Sequence, residues 1–204
     1  MIDTDTDSEP DSGSGTDSEG ATVVVVDDNE SIADTYTAFL EREYDVATVY
    51  DGQSAIDRLA SDIDVVLLDR RMPGISGDKV LEAIDERELD CRVVMLTAVD
   101  PEFDIVDMPF DDYLCKPVVQ DDLVAAIEQQ LAARAYSDRL SEYLEVTSKL
   151  ALLEAEKPAR ELAGNEDVAE LRQRAARLRE EVDAALGEFD DFETAFRDLR
   201  RHSH

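Results

Sequence analysis

Five short runs rich in β-branched residues constrain this chain more than any other feature of its sequence. Amphipathic stretches with helical spacing separate consecutive runs. Strands and helices that alternate in this way form βαβ units, which make the strands parallel and cover both faces of the sheet. The pattern therefore predicts an α/β fold with a doubly wound, five-stranded parallel sheet, whose strands lie at 22–26, 45–49, 63–68, 92–97 and 112–115.

Charge is strongly unbalanced, with 51 acidic and 20 basic residues and a net charge of −31. Free nucleic acid is repelled by such a molecule as a whole. High ionic strength screens the self-repulsion, so we expect a halophilic protein in a salt-rich cytoplasm. The sequence holds neither a run of 18 apolar residues nor a signal peptide pattern, so we expect no membrane insertion.

Residues 1–20 differ in composition from the rest of the chain. They contain seven acidic residues, no basic residue, and only Met1, Ile2 and small or polar residues besides. Too little apolar surface is present to offset the entropy of ordering them. We predict a disordered acidic tail over 1–20, a globular domain over 21–131 and a helical domain over 132–204.

The helical domain carries apolar residues at spacings of three and four. One such stretch runs from Tyr136 until Pro158, and a second, longer seam begins at Val168 and extends to Leu199. This spacing predicts an antiparallel α-helical hairpin, a coiled coil between chains, or both. We expect the first helix to be about three turns too short to cover the second, so that the second bends back at Gly187 or meets another chain.

Polar residues follow four of the five predicted strands. In a doubly wound sheet the carboxyl ends of the strands meet at one edge, where ligands bind. The residues placed there are Asp27, Asp28, Asp69, Thr97 and Lys116.

Three crowded carboxylates need a cation to neutralise them, and all-oxygen ligands with room for water suit Mg²⁺. Asp69, presented by a buried strand, has the chemistry to attack a phosphoryl group. The Lys116 ammonium and the Thr97 hydroxyl would then contact phosphoryl oxygens.

Four segments carry this constellation in order: VVVVDDN, VVLLDRRMPG, VMLTA and YLCKP. They resemble the receiver domain of two-component response regulators, which implies a flavodoxin-like fold over residues 21–131. The resemblance implies that Asp69 is the phosphoacceptor, and that Thr97 and Lys116 contact the phosphoryl group. It further implies Mg²⁺ ligands at Asp27, Asp28, Asp69 and the Arg71 carbonyl, and switch residues at Thr97 and Tyr113.

Two regions qualify the resemblance. The interval from Thr97 to Lys116 is shorter than is usual in the family, so we expect the fourth helix, between Val99 and Phe110, to be short or irregular. Residues 132–204, with the phrase DRLSEYLEVTSKLALLE, are similar to the HalX domain of haloarchaeal response regulators.

These features favour a phosphorelay switch that a sensor histidine kinase phosphorylates on Asp69, and which catalyses only its own phosphorylation and dephosphorylation. An aspartate-nucleophile phosphohydrolase of the haloacid dehalogenase type is disfavoured, because Arg71 stands where that class has its second aspartate. A mononucleotide binder is disfavoured because no glycine-rich or Ser/Thr-rich phosphate loop follows the first strand.

The output of such a switch has two alternatives. Protein interaction or homodimerisation, with a downstream protein target, is favoured because the apolar seam implies burial. DNA binding is the alternative, through helices that bear the arginines Arg172, Arg174, Arg177 and Arg179. A solvated helix face balanced by neighbouring glutamates also accounts for those arginines.

Overall fold

A computed structural model describes residues 20–98 and 106–202, and it describes side chains as far as Gly187. Except for Gly20, the predicted acidic tail lies outside the described residues. A short or irregular fourth helix is predicted between Val99 and Phe110; residues 99–105 also lie outside the described residues, and Val106 and Asp107 form a single 3₁₀ turn.

A five-stranded parallel sheet forms the centre of the fold, in the order β2-β1-β3-β4-β5. The strands are β1 (Thr22–Val26), β2 (Asp45–Val49), β3 (Val65–Asp69), β4 (Arg92–Thr97) and β5 (Asp112–Cys115). The predicted α/β fold is confirmed, and four strands have the predicted bounds.

The third strand is shifted from its predicted bounds of 63–68. Ile63 is fully buried, but its backbone N–H donates to the Ala60 carbonyl in the preceding turn, 3.4 Å away. Its apolar character therefore reflects burial and not strand pairing. At the other end, Asp69 pairs with Leu96 of β4 and is the last residue of the strand.

Three helices precede the last strands: α1 (Glu30–Leu40), α2 (Gly52–Arg58) and α3 (Gly77–Glu86). One core cluster packs α1 and the start of a fourth helix, α4 (Gln120–Glu156), on one face of the sheet. The other cluster packs α2 and α3 on the opposite face. Both faces are therefore covered, as parallel strands with almost continuous apolar sequences require.

The helix α4 (Gln120–Glu156) is 37 residues long and belongs to both halves of the chain. Its first turns bury Leu123, Ala126 and Ile127 against the sheet. The helix then continues past residue 131, so the domain boundary that we predict there would lie within one helix. Just beyond this point, the Arg134 guanidinium lies 2.8 Å from Asp64 Oδ1 and 3.1 Å from Asp90 Oδ2, which ties α4 to the amino edge of the sheet.

The chain turns back through α5 (Ala159–Leu162) into α6 (Glu166–His202), which packs along α4. Asn165 caps α6, its side-chain oxygen accepting from the Val168 N–H at 3.0 Å. The predicted hairpin is therefore present. Its described seam consists of buried or half-buried residues at Tyr136, Leu140, Tyr143, Val146, Leu150 and Leu153 of α4, and at Val168, Leu171, Ala175, Leu178, Val182 and Ala185 of α6.

The predicted shortfall of the first helix is wrong, and of the two alternatives that depended on it, the bend at Gly187 does not occur. The first helix is not shorter than the second, because α4 starts at Gln120 and is 37 residues long, as α6 is. Gly187 does not divide α6, since a single glycine costs a helix only about 1 kcal/mol and the remaining turns tolerate it. The side chains of Phe189, Phe192, Phe196 and Leu199 lie outside the described residues.

None of the helices in the described ranges combines the length and the hydropathy needed to span a bilayer.

The charge of the globular half leads to a prediction about salt. Residues 21–131 hold 27 acidic and 8 basic residues, and their repulsion extends over a Debye length of about 30 Å at 0.01 M salt but only about 3 Å at 1 M. We expect the thermal unfolding midpoint, followed by circular dichroism, to rise steeply between dilute buffer and molar KCl. A midpoint independent of KCl concentration would contradict this expectation.

Candidate functional site

The carboxyl edge of the sheet brings together two buried aspartates and a lysine. Asp27 directly follows β1, Asp69 ends β3, and Lys116 follows β5. Lys116 Nζ lies 2.6 Å from Asp27 Oδ2 and 3.0 Å from Asp69 Oδ1. Asp27 is 1% exposed and Asp69 is 7% exposed, so these ion pairs form largely away from water.

A third carboxylate, that of Asp28, completes the acidic cluster on the solvent side. Asp27, Asp28 and Asp69 each offer an oxygen, and these three oxygens lie within 4.8 Å of one another. Such an all-oxygen set, with one exposed member that leaves room for water, fits the preference of Mg²⁺. The three aspartates predicted as Mg²⁺ ligands are therefore able to hold that ion.

Burial and charge act in opposite directions on the titration of the site. Burial raises the pKa of Asp69 above its ordinary value, although the hydrogen bond from Lys116 acts to lower it. Burial acts to lower the pKa of Lys116, but its hydrogen bonds to Asp27 and Asp69 and the negative charges of these two residues together outweigh that effect, so the pKa is raised. Lys116 therefore stays protonated at neutral pH and supplies a fixed positive charge beside the carboxylates.

Thr97 and Arg71 also lie at this edge of the sheet, where each takes part in a hydrogen bond through a backbone group. Thr97 is 1% exposed at the end of β4, and its carbonyl accepts the backbone N–H of Lys116 at 2.6 Å. The Arg71 backbone N–H donates to the Asp69 carboxylate, while the Arg71 side chain is exposed. The loop after β3 is thus in direct contact with Asp69, as a backbone ligand from Arg71 would require.

Tyr113 lies on β5 three residues before Lys116, on the sheet face that α2 and α3 cover. It pairs in register with Met95 and is half-buried against the adjoining core cluster. Its ring lies 5.8 Å, centroid to centroid, from that of Phe110.

Two residues that were not predicted as site residues also shape the site. The Asn29 backbone N–H donates to Asp27 Oδ1 at 2.9 Å, and the Asn29 side chain caps α1, which orients the buried carboxylate. Gly77 begins α3 so close to Asp69 that a Cβ atom there would lie 2.2 Å from the Asp69 carbonyl oxygen. Its position, as the second glycine of the phrase MPGISG, was the available signal.

The sequence-family model of the response regulator receiver domain matches residues 23–128, which is more than half of the chain. The chain belongs to the response regulator receiver family. A second model, that of the HalX domain, matches residues 132–199 of this response regulator. Both family resemblances drawn from the sequence are thereby confirmed, and the chain is a two-component response regulator.

A relative from Haloferax volcanii, named "Putative transcriptional regulator", is 46% identical over 165 residues. That match covers 80% of this response regulator but only 28% of the relative, so the chain spans well under half of the relative's length.

Solved structures match the receiver half. The signal receiver domain of a Vibrio parahaemolyticus protein is 27% identical, with a TM-score of 0.54, over 58% of this chain and 95% of that one. The response regulator DrrB from Thermotoga maritima is 26% identical, with a TM-score of 0.50, over 54% of this chain and 52% of that one.

Proposed function

We propose that this response regulator accepts a phosphoryl group on Asp69 from a sensor histidine kinase and signals through its C-terminal helices. The observation that carries the proposal is the pairing of buried Asp69 with Lys116 at 3.0 Å, beside two further carboxylates. A nucleophile, a fixed positive charge and a magnesium-type ligand set are the parts that phosphoryl transfer requires.

The residues divide the chemistry between them. An Asp69 oxygen attacks the phosphorus atom, and the bond from phosphorus to the donor nitrogen breaks as the new acyl phosphate forms. Lys116 Nζ moves from its contact with Asp69 to a phosphoryl oxygen, and the Thr97 hydroxyl donates to another. Asp27, Asp28, Asp69 and the Arg71 carbonyl would hold Mg²⁺, and its divalent charge would offset the negative charge of the phosphoryl oxygens.

Phosphorylation would then shift the receiver between two conformations. Thr97 moves toward the phosphoryl group, and Tyr113 on the neighbouring strand repacks against the α2 and α3 face in response. The receiver catalyses only its own phosphorylation and dephosphorylation, and does not turn over a separate substrate.

For the output, we favour protein interaction or dimerisation by the hairpin. Two of the four clustered arginines form ion pairs inside the hairpin: Arg172 with Glu154 at 2.9 Å, and Arg174 with Glu142. Ion pairs between α4 and α6 therefore account for half of the basic cluster. Transcriptional control by DNA binding is the second candidate, because the Haloferax volcanii relative is named as a transcriptional regulator.

Transfer from acetyl phosphate to the full chain in molar KCl tests the proposal. We expect incorporation of phosphate that requires Mg²⁺, stops when a chelator is added, and is released by hydroxylamine as an acyl phosphate is. Peptide mapping after borohydride reduction should place the label on Asp69. Label on Asp28, or incorporation that is indifferent to the chelator, would contradict it.

A further inference from the structure

Tyr44 holds a hydroxyl group inside the protein with no partner among the described residues. It lies between α1 and β2, is 5% exposed, and belongs to the core cluster that α1 and α4 form against the sheet. Its hydroxyl oxygen is buried and takes part in no hydrogen bond within the described ranges. A buried polar atom without a partner lowers stability, so this hydroxyl points to a ligand from outside the described chain.

Two carboxylates from different elements lie near this hydroxyl. Glu43 is exposed in the turn after α1, and Glu128 is half-buried on α4, next to Ile127 of the same core cluster. Burial raises the pKa of Tyr44, and the negative charges of Glu128 and Glu43 raise it further. Burial likewise raises the pKa of Glu128, and the charge of Glu43 adds to this effect. The three side chains therefore form one electrostatic cluster, with the Tyr44 hydroxyl on its buried side.

The charge of this cluster is uncompensated. In the part of the chain that the structure describes, the only charges that shift the pKa of Tyr44 or Glu128 are those of carboxylates. Residues 1–19 supply no compensating side chain either, because they hold seven acidic residues and no basic one. A bound cation would remove the repulsion between Glu43 and Glu128 and would also give the Tyr44 oxygen a partner.

We propose that Glu43, Tyr44 and Glu128 bind a monovalent metal cation, K⁺ or Na⁺, between the turn after α1 and the helix α4. Three oxygens, one of them a neutral phenol, are too few for the six to eight that Ca²⁺ takes, and Mg²⁺ demands a nearly ideal octahedron. A net charge of −31 also concentrates cations at the surface of this protein. The site goes beyond the proposed function, since Tyr44 precedes β2 at the amino edge of the sheet and Asp69 lies at the carboxyl edge.

Unfolding of the full chain in three chloride salts tests this site. KCl, NaCl and tetramethylammonium chloride at about 1 M all screen charge to about 3 Å, but tetramethylammonium is too large to enter between the carboxylates. Tyr44→Phe removes only the hydroxyl, and Glu128→Gln removes only the charge. Glu170→Gln makes the same change at an exposed position of α6 and is the matched control. Circular dichroism gives the unfolding midpoints, with a chelator present to remove divalent ions.

The expected result is a change of sign between the salts. In KCl or NaCl, Tyr44→Phe and Glu128→Gln should unfold at least about 2 °C below the wild type, because each removes a ligand of the bound cation. In tetramethylammonium chloride both should unfold at or above the wild-type midpoint, because one removes an unpartnered hydroxyl and the other a like-charge repulsion. Glu170→Gln should differ from the wild type by the same amount in all three salts.

The comparison of KCl with NaCl distinguishes the two ions, and a loss of stability confined to either salt supports a site for that ion. Variants that are as stable as the wild type, or more so, in all three salts would overturn the proposal. So would variants that lose the same stability in all three, because Tyr44 and Glu128 would then act in packing alone.

Discussion

Asp69→Asn is expected to abolish phosphoryl uptake from acetyl phosphate. The amide nitrogen and oxygen of asparagine lack the nucleophilic charge of a carboxylate, and Lys116 then has no acyl phosphate to stabilise. Incorporation should fall to background when followed by radiolabel in the full chain with Mg²⁺. The control is Asp57→Asn, which changes an exposed aspartate of α2 in the same way and should label as the wild type does.

We expect the Asp69→Asn chain to remain folded, so its failure to take up phosphate is not a result of unfolding. Burial raises the pKa of Asp69, and a carboxyl group whose pKa is raised by folding destabilises the fold progressively as the pH rises through that pKa. Removing the charge therefore should not lower the unfolding midpoint at neutral pH, and Lys116 retains Asp27 as a partner at 2.6 Å. Residual hydroxylamine-sensitive phosphate in a folded Asp69→Asn chain would refute the assignment.

Gly77→Ala is expected to be strongly destabilising and to impair labelling. The added Cβ atom would lie 2.2 Å from the Asp69 carbonyl oxygen and 2.9 Å from the Arg70 Cα, both of which are backbone atoms that cannot rotate away. Relief requires α3 or the end of β3 to move, at a cost of about 1–3 kcal/mol or more. Chemical denaturation should show the loss of stability, and the same shift should displace Asp69 from Lys116.

Gly187→Ala is the matched control, and we expect it to leave the stability of the chain unchanged or to increase it. Gly187 lies within α6, and an added Cβ atom would meet nothing within 4 Å. Alanine in a helix interior is favoured over glycine by about 1 kcal/mol, so this variant should be as stable as the wild type or more so. Equal stability of the Gly77→Ala and Gly187→Ala chains would contradict the close approach of α3 to Asp69.

Sequence alone was sufficient to predict the sheet and the edge at which Asp27, Asp69 and Lys116 meet. The runs that end at Asp27 and Lys116 are short, apolar and bounded by polar residues, so their local pattern separates strand from helix. Parallel pairing then places their carboxyl ends together, whatever the details of packing. The family signatures added the roles proposed for Asp69, Thr97 and Lys116.

The features of the fold that the sequence did not predict depend on contacts between residues far apart in the chain. Spacing by three and four is the same in a hairpin and in a coiled coil between chains, and ion pairs such as Arg174 with Glu142, 32 residues apart, show α6 folded back on α4. The continuity of α4 past residue 131, the turn that takes Ile63 out of β3, and the approach of Gly77 to Asp69 likewise depend on which segments pack together. A local pattern records whether a residue is buried, but only the tertiary structure determines what buries it.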